Sequence, residues 1–399
     1  MSQMNPNQAI FDSGYTFALV VAGGGMEVAG ELTRYGGASS SLMEVHCLYS
    51  MDSIHDLLGS KPDKIVSKET ARALAMLAYQ GSKPFGENLD KFFGVGSTSS
   101  LVKQGEREGR IHEVFIVSQD MESTYEYHIK LKPGRTREEE ESIVSKLIIR
   151  VIEESTGVIT TPWDNLFLGI LNHDDFVEIQ HADEVRSNCN IFSIDVINYG
   201  DLDLSTFINV YSVFNGEAKF HPQPQNKLIF SSSCNPIHEG HIAIMEHAAK
   251  STGLHVDVEL CIRNADKPAL DYITIAHRIK DTRKRLRNVE CFGDIIVTNT
   301  PYFFHKAELF PGAWFLVGMD TFNRIMEPMY YDGMDKVCEG LSNMKDRGSK
   351  FIVYPRAGHE QKTTYKGSIV FFMRDTVEFM TEFEEINTSS TMKRQGITS

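Results

Sequence analysis

None of the six cysteines in this 399-residue sequence stands close to another: Cys47, Cys189, Cys234, Cys261, Cys291 and Cys338 form no CxxC pair and no tight group. That spacing gives no sign of a thiolate zinc site or a disulfide framework, and free thiols in a reducing compartment are the expectation. Long apolar runs are missing too. No window reaches the roughly 18 apolar residues of a membrane-crossing helix. The opening MSQMNPNQAIFDSGYTF lacks the basic-then-apolar order of a secretion signal. A soluble, cytoplasmic protein with no membrane partner is expected. Positive charge is also short: 40 Lys and Arg face 54 Asp and Glu, for a formal net charge of −14. Holding nucleic acid by its backbone takes a clustered basic surface that displaces counterions, so no nucleic-acid partner is expected. A local basic pocket for a small nucleotide remains compatible with an acidic whole.

What the chain does contain is apolar material for more than one core, 41% hydrophobic against 24% charged residues. Two prolines and three amides in HPQPQN, 221–226, break the pattern just ahead of the apolar KLIF. The expected division is an α/β domain over 1–165, a connecting segment over 166–226 and a second α/β domain over 227–399. In the first, FALVVAGGGMEVAGELT reads as strand, glycine turn at Gly23 to Gly25, then helix, and KETARALAMLAYQ as a second helix. HEVFIVSQD and TYEYHIKL read as strands joined by a short turn. A further helix starts at Thr136, with Glu139 completing a capping box. The run Glu138 to Glu141 reads as its solvated first turn, favoured by the helix dipole. From 227 onward strand and helix alternate, which predicts a parallel sheet with helices on both faces and ligand sites at the carboxyl ends of the strands.

The segment SSSCNPIHEGHIAIMEHAA, starting at Ser231, joins the first of those strands to a helix. Small residues let a backbone come close to a ligand, and a helix N-terminus offers unpaired amide donors and partial positive charge to a polyphosphate. His238 and His241, one turn apart, can serve one phosphate by donating to charge that builds on it during displacement. The spacing falls one residue short of the HExxH zinc pattern, and no third ligand stands nearby, so no metal ligand is assigned.

This segment resembles the GxFxPxHxGH signature of the nucleotidylyltransferase superfamily, with Ser232 at the family glycine and Cys234 at the family phenylalanine. NTSSTMKR, 387–394, resembles the family's second signature, ISSTxxR, with Thr388 at the isoleucine. The resemblance implies a Rossmann-like domain over 227–399 in which His238, His241 and Arg394 act on the transferring phosphate. It further implies that Ser232, Ser233, Ser389, Ser390 and Thr391 hold the nucleotide. FLVGMD is similar to the GxD segment of the branch that adenylates nicotinamide or nicotinate mononucleotide, implying Gly318 close to the adenosine and Asp320 accepting from it. On the same basis Lys267, Arg278 and Arg356 are substrate contacts. Pyridine-binding members carry an aromatic residue after GxD. The only tryptophans here are Trp163 and Trp314, so Tyr330 or Tyr331 is the stacking candidate.

The implied reaction moves AMP from ATP to a phosphorylated small-molecule acceptor and releases pyrophosphate, with Mg²⁺ entering on ATP. Transfer to another acceptor or from CTP, and a nucleotide sensor without turnover, are the alternatives. VVAGGGMEVAGELTRYGGASSS, VHCLYSMDSIHDLLG and IVSKETARALA, within about 14–165, resemble the C-terminal domain of the competence-damage-inducible CinA family, some members of which deamidate nicotinamide mononucleotide. That family's active members carry a serine in ESCTGG and a lysine in YSNEAK. Here Val21-Ala22-Gly23 and Ile54 stand at those positions, while Tyr49 and Ser50 persist. Without nucleophile and activating base the usual amide hydrolysis has no route, so a structural, oligomer-forming or ligand-sensing domain is expected.

Overall fold

The computed structural model describes residues 5–82, 91–120, 123–158, 171, 175–182, 211–214, 217–220, 228–262, 268–298, 300–331, 333–356, 376–380 and 383. The chain divides into two compact units, Met1–Arg186 with Asp266–Ile273, and Ser187–Ala265 with Thr274–Ser399.

In the first unit, α1 (Gln8–Asp12), β1 (Thr16–Ala22), α2 (Glu27–Thr33), β2 (Leu42–Leu48), α3 (Met51–Leu58) and α4 (Lys68–Ser82) are followed by β3 (Phe92–Ser100), β4 (His112–Gln119), β5 (Thr124–Leu131), α5 (Arg137–Ser155) and β6 (Phe176–Ala182). The strands form one sheet, β2-β1-β3-β4-β5-β6. Phe17 to Ala22 of β1 are all buried, as in a strand covered on both faces. Leu19 and Val21 pack with Val28 and Leu32 of α2 and Val144, Leu147 and Ile148 of α5. Ala18 and Val20 pack with Ile54, Leu58, Leu74 and Ala78 from α3 and α4. The backbone of α4 lies directly on β3. A Cβ on Gly94 would fall 2.1 Å from the Tyr79 amide nitrogen, and one on Gly96 2.3 Å from the Ala71 carbonyl oxygen. β1 is parallel to β2 and β3, whereas β3 to β6 run as an antiparallel meander. The expected short turn joins β4 to β5, whereas α5 intervenes in the chain before β6 pairs antiparallel with β5.

The capping box of α5 is as read. Thr136 Oγ1 accepts from the Glu139 amide at 3.2 Å, and Glu139 Oε2 from the Thr136 amide at 2.7 Å. The Thr136 amide, and after it the Thr136 side chain, hold the exposed Glu139 carboxyl below its usual range. The reading of Glu138 to Glu141 as a solvated turn is corrected at two positions. Glu140 is fully buried, meets His112 Nδ1 at 2.6 Å and accepts from the Val102 amide at 2.7 Å. Glu141 accepts from the Met26 amide at 2.6 Å, at the end of the glycine turn. Each carboxylate has found an amide or imidazole, and only that makes its burial affordable.

Arg72 of α4 centres an enclosed charge cluster. It pairs with Glu126 of β5, and its Nε stands 3.3 Å from Asp271, both partners nearly inaccessible, while Glu69 lies 3.6 Å away at the surface.

The second unit contains β7 (Tyr211–Phe214), β8 (Glu217–Phe220), β9 (Leu228–Ser232), α6 (Glu239–Thr252), β10 (Val256–Cys261), α7 (Tyr272–Leu286, its first two residues in the other unit), β11 (Phe292–Thr298), α8 (Phe303–Leu309), β12 (Trp314–Gly318), α9 (Met319–Ile325), α10 (Met334–Asp346), β13 (Lys350–Tyr354) and β14 (Val377–Phe379). Its sheet has the order β14-β13-β12-β9-β10-β11-β7-β8. β9 to β14 are mutually parallel, and the β7–β8 hairpin is antiparallel on the far side of β11. The chain builds outward from β9 to β10 and β11, then returns to the other side of β9 with β12. That reversal leaves a crevice at the carboxyl ends of β9 and β12, where doubly wound sheets receive ligands. Ile229 packs with Ala307 and Phe310 of α8, Phe322 and Ile325 of α9 and Leu341 of α10, closing one face. Phe230 points the other way, its ring 5.2 Å from that of His241 on α6.

Candidate active site

The link from β9 to α6 is a tight construction. β9 runs through Ser232 and α6 begins at Glu239. Cys234 is almost completely buried and adopts φ +48°, a left-handed conformation that costs a non-glycine residue about 1–3 kcal/mol and persists where its surroundings impose it. Two contacts impose it here. The Cys234 amide donates to Ser232 Oγ at 3.2 Å, a bond that a glycine at 232 could not accept. Arg278 of α7 donates from Nη1 to the Ser233 carbonyl at 2.7 Å, so this expected substrate contact grips the backbone of the turn. Burial raises the Cys234 thiol to about 11.

His238 is the N-cap of α6 and is 3% exposed. Its imidazole stacks on that of His241 with ring centres 3.7 Å apart. The His238 amide donates to His241 Nδ1 at 3.4 Å, which assigns that nitrogen as acceptor and leaves the proton on Nε2. Burial, then the neighbouring His238 and Arg356, lower the His241 pKa to about 3. At neutral pH His241 is therefore an uncharged donor, and Arg356, beyond β13, supplies fixed positive charge beside it.

Leu316 of β12 is registered with Phe230 of β9, and two residues further along these strands lie Gly318 and Ser232. Gly318 is the N-cap of α9, and a Cβ there would fall 2.6 Å from Asp320 Oδ1. The carboxylate folds over the glycine at the mouth of the crevice. His238, His241, Ser232, Ser233, Arg278, Arg356, Gly318 and Asp320 are thus gathered around the carboxyl ends of the central strands. Of the two tyrosines, Tyr331 belongs to the core, donating to the Ile325 carbonyl at 2.8 Å, whereas Tyr330 is partly exposed beneath the Arg324 guanidinium. Lys267, Ser389, Ser390, Thr391 and Arg394 lie outside the described residues.

One group was missed by the sequence reading. Glu259 of β10, Thr298 of β11 and Lys306 of α8 form a buried polar cluster on the α8 face of the sheet. Its signal was a carboxylate inside VDVELC and a lysine inside FFHKAELF, each an interruption of a buried apolar run.

Among the described residues no group of three or more His, Cys, Asp or Glu is placed to hold a metal ion, the five cysteines form no disulfide, and no helix is long and apolar enough to cross a membrane. In the other unit, Ile54 is 2% exposed in the α3–α4 core, Ser50 caps α3 by accepting from the Ser53 amide at 3.0 Å, and Tyr49 is exposed. The glycine turn is closed by Glu141 and by Arg137, which donates to the Gly23 carbonyl at 3.0 Å.

The low pKa values of His241, about 3, and His305, about 4, both chiefly from burial, have a consequence for stability. The folded chain binds fewer protons than the unfolded one below pH 6.5, so their contribution is full above 6.5 and is lost as pH falls through about 4 for His305 and about 3 for His241. Between pH 6.5 and 5, His241 alone is expected to account for about 2 kcal/mol of the loss. Urea denaturation at both pH values should show that difference in the wild type and a clearly smaller one in His241→Asn.

Residues 229–396 match the cytidylyltransferase-like family model, and the chain carries a nucleotidyltransferase-type domain there. Among solved structures, the chain is similar to the nicotinic acid mononucleotide adenylyltransferase of Plasmodium falciparum complexed with NaAD, at 18% identity over 43% of this chain and 83% of that one, TM-score 0.30. It is also similar to a competence-damaged protein (CinA) superfamily protein from Enterobacter cloacae, at 12% identity over 39% and 88%, TM-score 0.30. The competence/damage inducible protein CihA of Agrobacterium tumefaciens is 14% identical over 40% and 95%, TM-score 0.27. No curated protein sequence matches the chain.

Proposed function

With a cytidylyltransferase-like domain over 229–396 as premise, we propose that the protein transfers AMP from ATP to nicotinamide or nicotinate mononucleotide and releases pyrophosphate. The observation that carries this is the stacked His238–His241 pair at the N-terminus of α6, set at the strand-order reversal opposite Gly318 and Asp320. An acceptor phosphate oxygen attacks the α-phosphorus of ATP in line, the new P–O bond forms as the bond to the β-phosphate oxygen breaks, and pyrophosphate leaves. Such transfers need positioning and charge neutralisation rather than a covalent intermediate.

His241, neutral with Nε2–H free of the helix cap, donates to charge growing on the transferring group. Arg356 adds fixed positive charge near the imidazole. Arg278 acts one step back, holding the turn that presents Ser232 and Ser233. Gly318 admits the adenosine and Asp320 accepts from it. Ser389, Ser390, Thr391 and Arg394 complete the phosphate contacts in this reading. Mg²⁺ arrives as part of the MgATP substrate, which agrees with a crevice whose donors are imidazoles, hydroxyls, amides and a lone carboxylate. The first domain lacks deamidase chemistry in this reading, because a buried apolar Ile54 cannot activate a nucleophile. The setting is cytoplasmic and the assembly homo-oligomeric.

Purified protein mixed with MgATP or MgCTP and a panel of phosphorylated acceptors should release pyrophosphate with ATP and a pyridine mononucleotide. Binding of nucleotide without release across the panel would favour a sensor over an enzyme.

A further inference from the structure

Lys306 and Glu259 form the most deeply buried ion pair of the second unit's described residues, with side-chain exposures of 4% and 0%. Lys306 Nζ donates to Glu259 Oε2 at 2.5 Å, and Thr298 Oγ1 donates to Oε1. The ammonium also lies 4.9 Å from the centre of the Phe303 ring. Both carboxylate oxygens are thereby engaged, while Lys306 uses one of its three N–H donors on an oxygen of the described residues. Ser231 is registered with Glu259 across β9 and β10, so the two side chains share a sheet face. Its buried Oγ has no hydrogen-bond partner. Unused donors on buried groups carry a penalty that an incoming acceptor removes.

The position of these groups points toward the ligand. Ser231 is the penultimate residue of β9, Thr298 the last of β11, and Glu259 stands two before the end of β10. They line the carboxyl ends of three adjacent strands, beside the strand-order reversal at which doubly wound sheets receive ligands. Tyr302 and Phe303 bring aromatic rings to the start of α8.

Charge then decides which group can sit there. Glu259 and Lys306 sum to zero. A carboxylate brought against them would lose its hydration and meet Glu259 with no net positive charge to offset either cost. A carboxamide gives its carbonyl oxygen to the waiting Lys306 and Ser231 donors, and its NH₂ to remaining oxygen lone pairs, without carrying charge. We infer that the acceptor presents a neutral carboxamide to the Ser231, Glu259 and Lys306 cluster, so that nicotinamide mononucleotide is the substrate in preference to nicotinate mononucleotide. This rests on the adenylyltransferase reading.

Pyrophosphate release with MgATP and each of the two mononucleotides tests it. The expected kcat/KM is at least about tenfold higher for the carboxamide. Replacing the pair together, Glu259→Leu with Lys306→Met, removes both charges and keeps the site filled and apolar, and the preference is expected to shrink to within about twofold. Should that chain fail to give a native circular dichroism spectrum, Glu259→Gln leaves the ammonium uncompensated and is expected to move the preference toward the carboxylate. Equal rates in the wild type, a carboxylate preference, or a preference untouched by these replacements would overturn the inference and leave adenylyl transfer standing. No pyrophosphate from either acceptor would remove the adenylyltransferase reading itself, and the inference with it.

Discussion

Alanine at His241 is expected to slow pyrophosphate release about 100- to 1,000-fold while ATP affinity stays within about threefold of wild type. The asymmetry follows from the state of the ring. With its pKa lowered to about 3, His241 brings no charge to the ground-state triphosphate and so adds little to binding. Its Nε2–H gains strength only as negative charge accumulates during displacement. A single-turnover rate together with an ATP dissociation constant separates the two quantities. If affinity collapsed and the rate per bound ATP did not change, His241 would be a ground-state ligand, and the role assigned to it would be wrong. His238 is not the matching control, because as the buried N-cap of α6 its removal also loosens the helix.

Arg72→Met is expected to destabilise the protein by about 3–5 kcal/mol, the usual consequence of leaving buried carboxylates without their counter-ion. Glu126 and Asp271 would both lose it, with little water to take its place. Urea denaturation of the full chain measures the loss. Adding Glu126→Met to Arg72→Met should recover part of it by removing one stranded charge and filling the space with apolar volume. A change below about 1 kcal/mol, the range of exposed pairs, would mean that water reaches the guanidinium.

What could be read from the sequence, and what could not, separates by distance along the chain. Thr136 and Glu139 are three residues apart, so their capping box is written locally and the structure contains it. β1, α4 and the strand-turn-helix carrying His238 and His241 are legible for the same reason. Glu140 looks like any member of an acidic run, and its burial depends on His112, which folding brings from 28 residues away. Arg72 and Asp271 lie in opposite halves of the sequence, and no periodicity links them. The β4–β5 hairpin was legible from its short turn, but the antiparallel pairing of β3 with β4 and of β6 with β5 was hidden, because an apolar strand carries no mark of its neighbour's direction. Arg278 was read as a substrate contact from the family resemblance of its segment, and only coordinates reveal its hold on the Ser233 carbonyl. Cys234 is harder still, since nothing in the letters SSSCNP announces a left-handed cysteine.

The sheet order of the second unit bears on how the chain emerges from the ribosome. β9 is central in the finished sheet, yet its neighbour β12 starts only at Trp314. At typical elongation rates of about 5–20 residues per second, roughly 4–16 s pass between synthesis of the two. Throughout that interval one flank of β9 has open amides and carbonyls that a neighbouring nascent chain could pair with, so the strand that leads into the histidine-bearing helix is exposed to mispairing during translation.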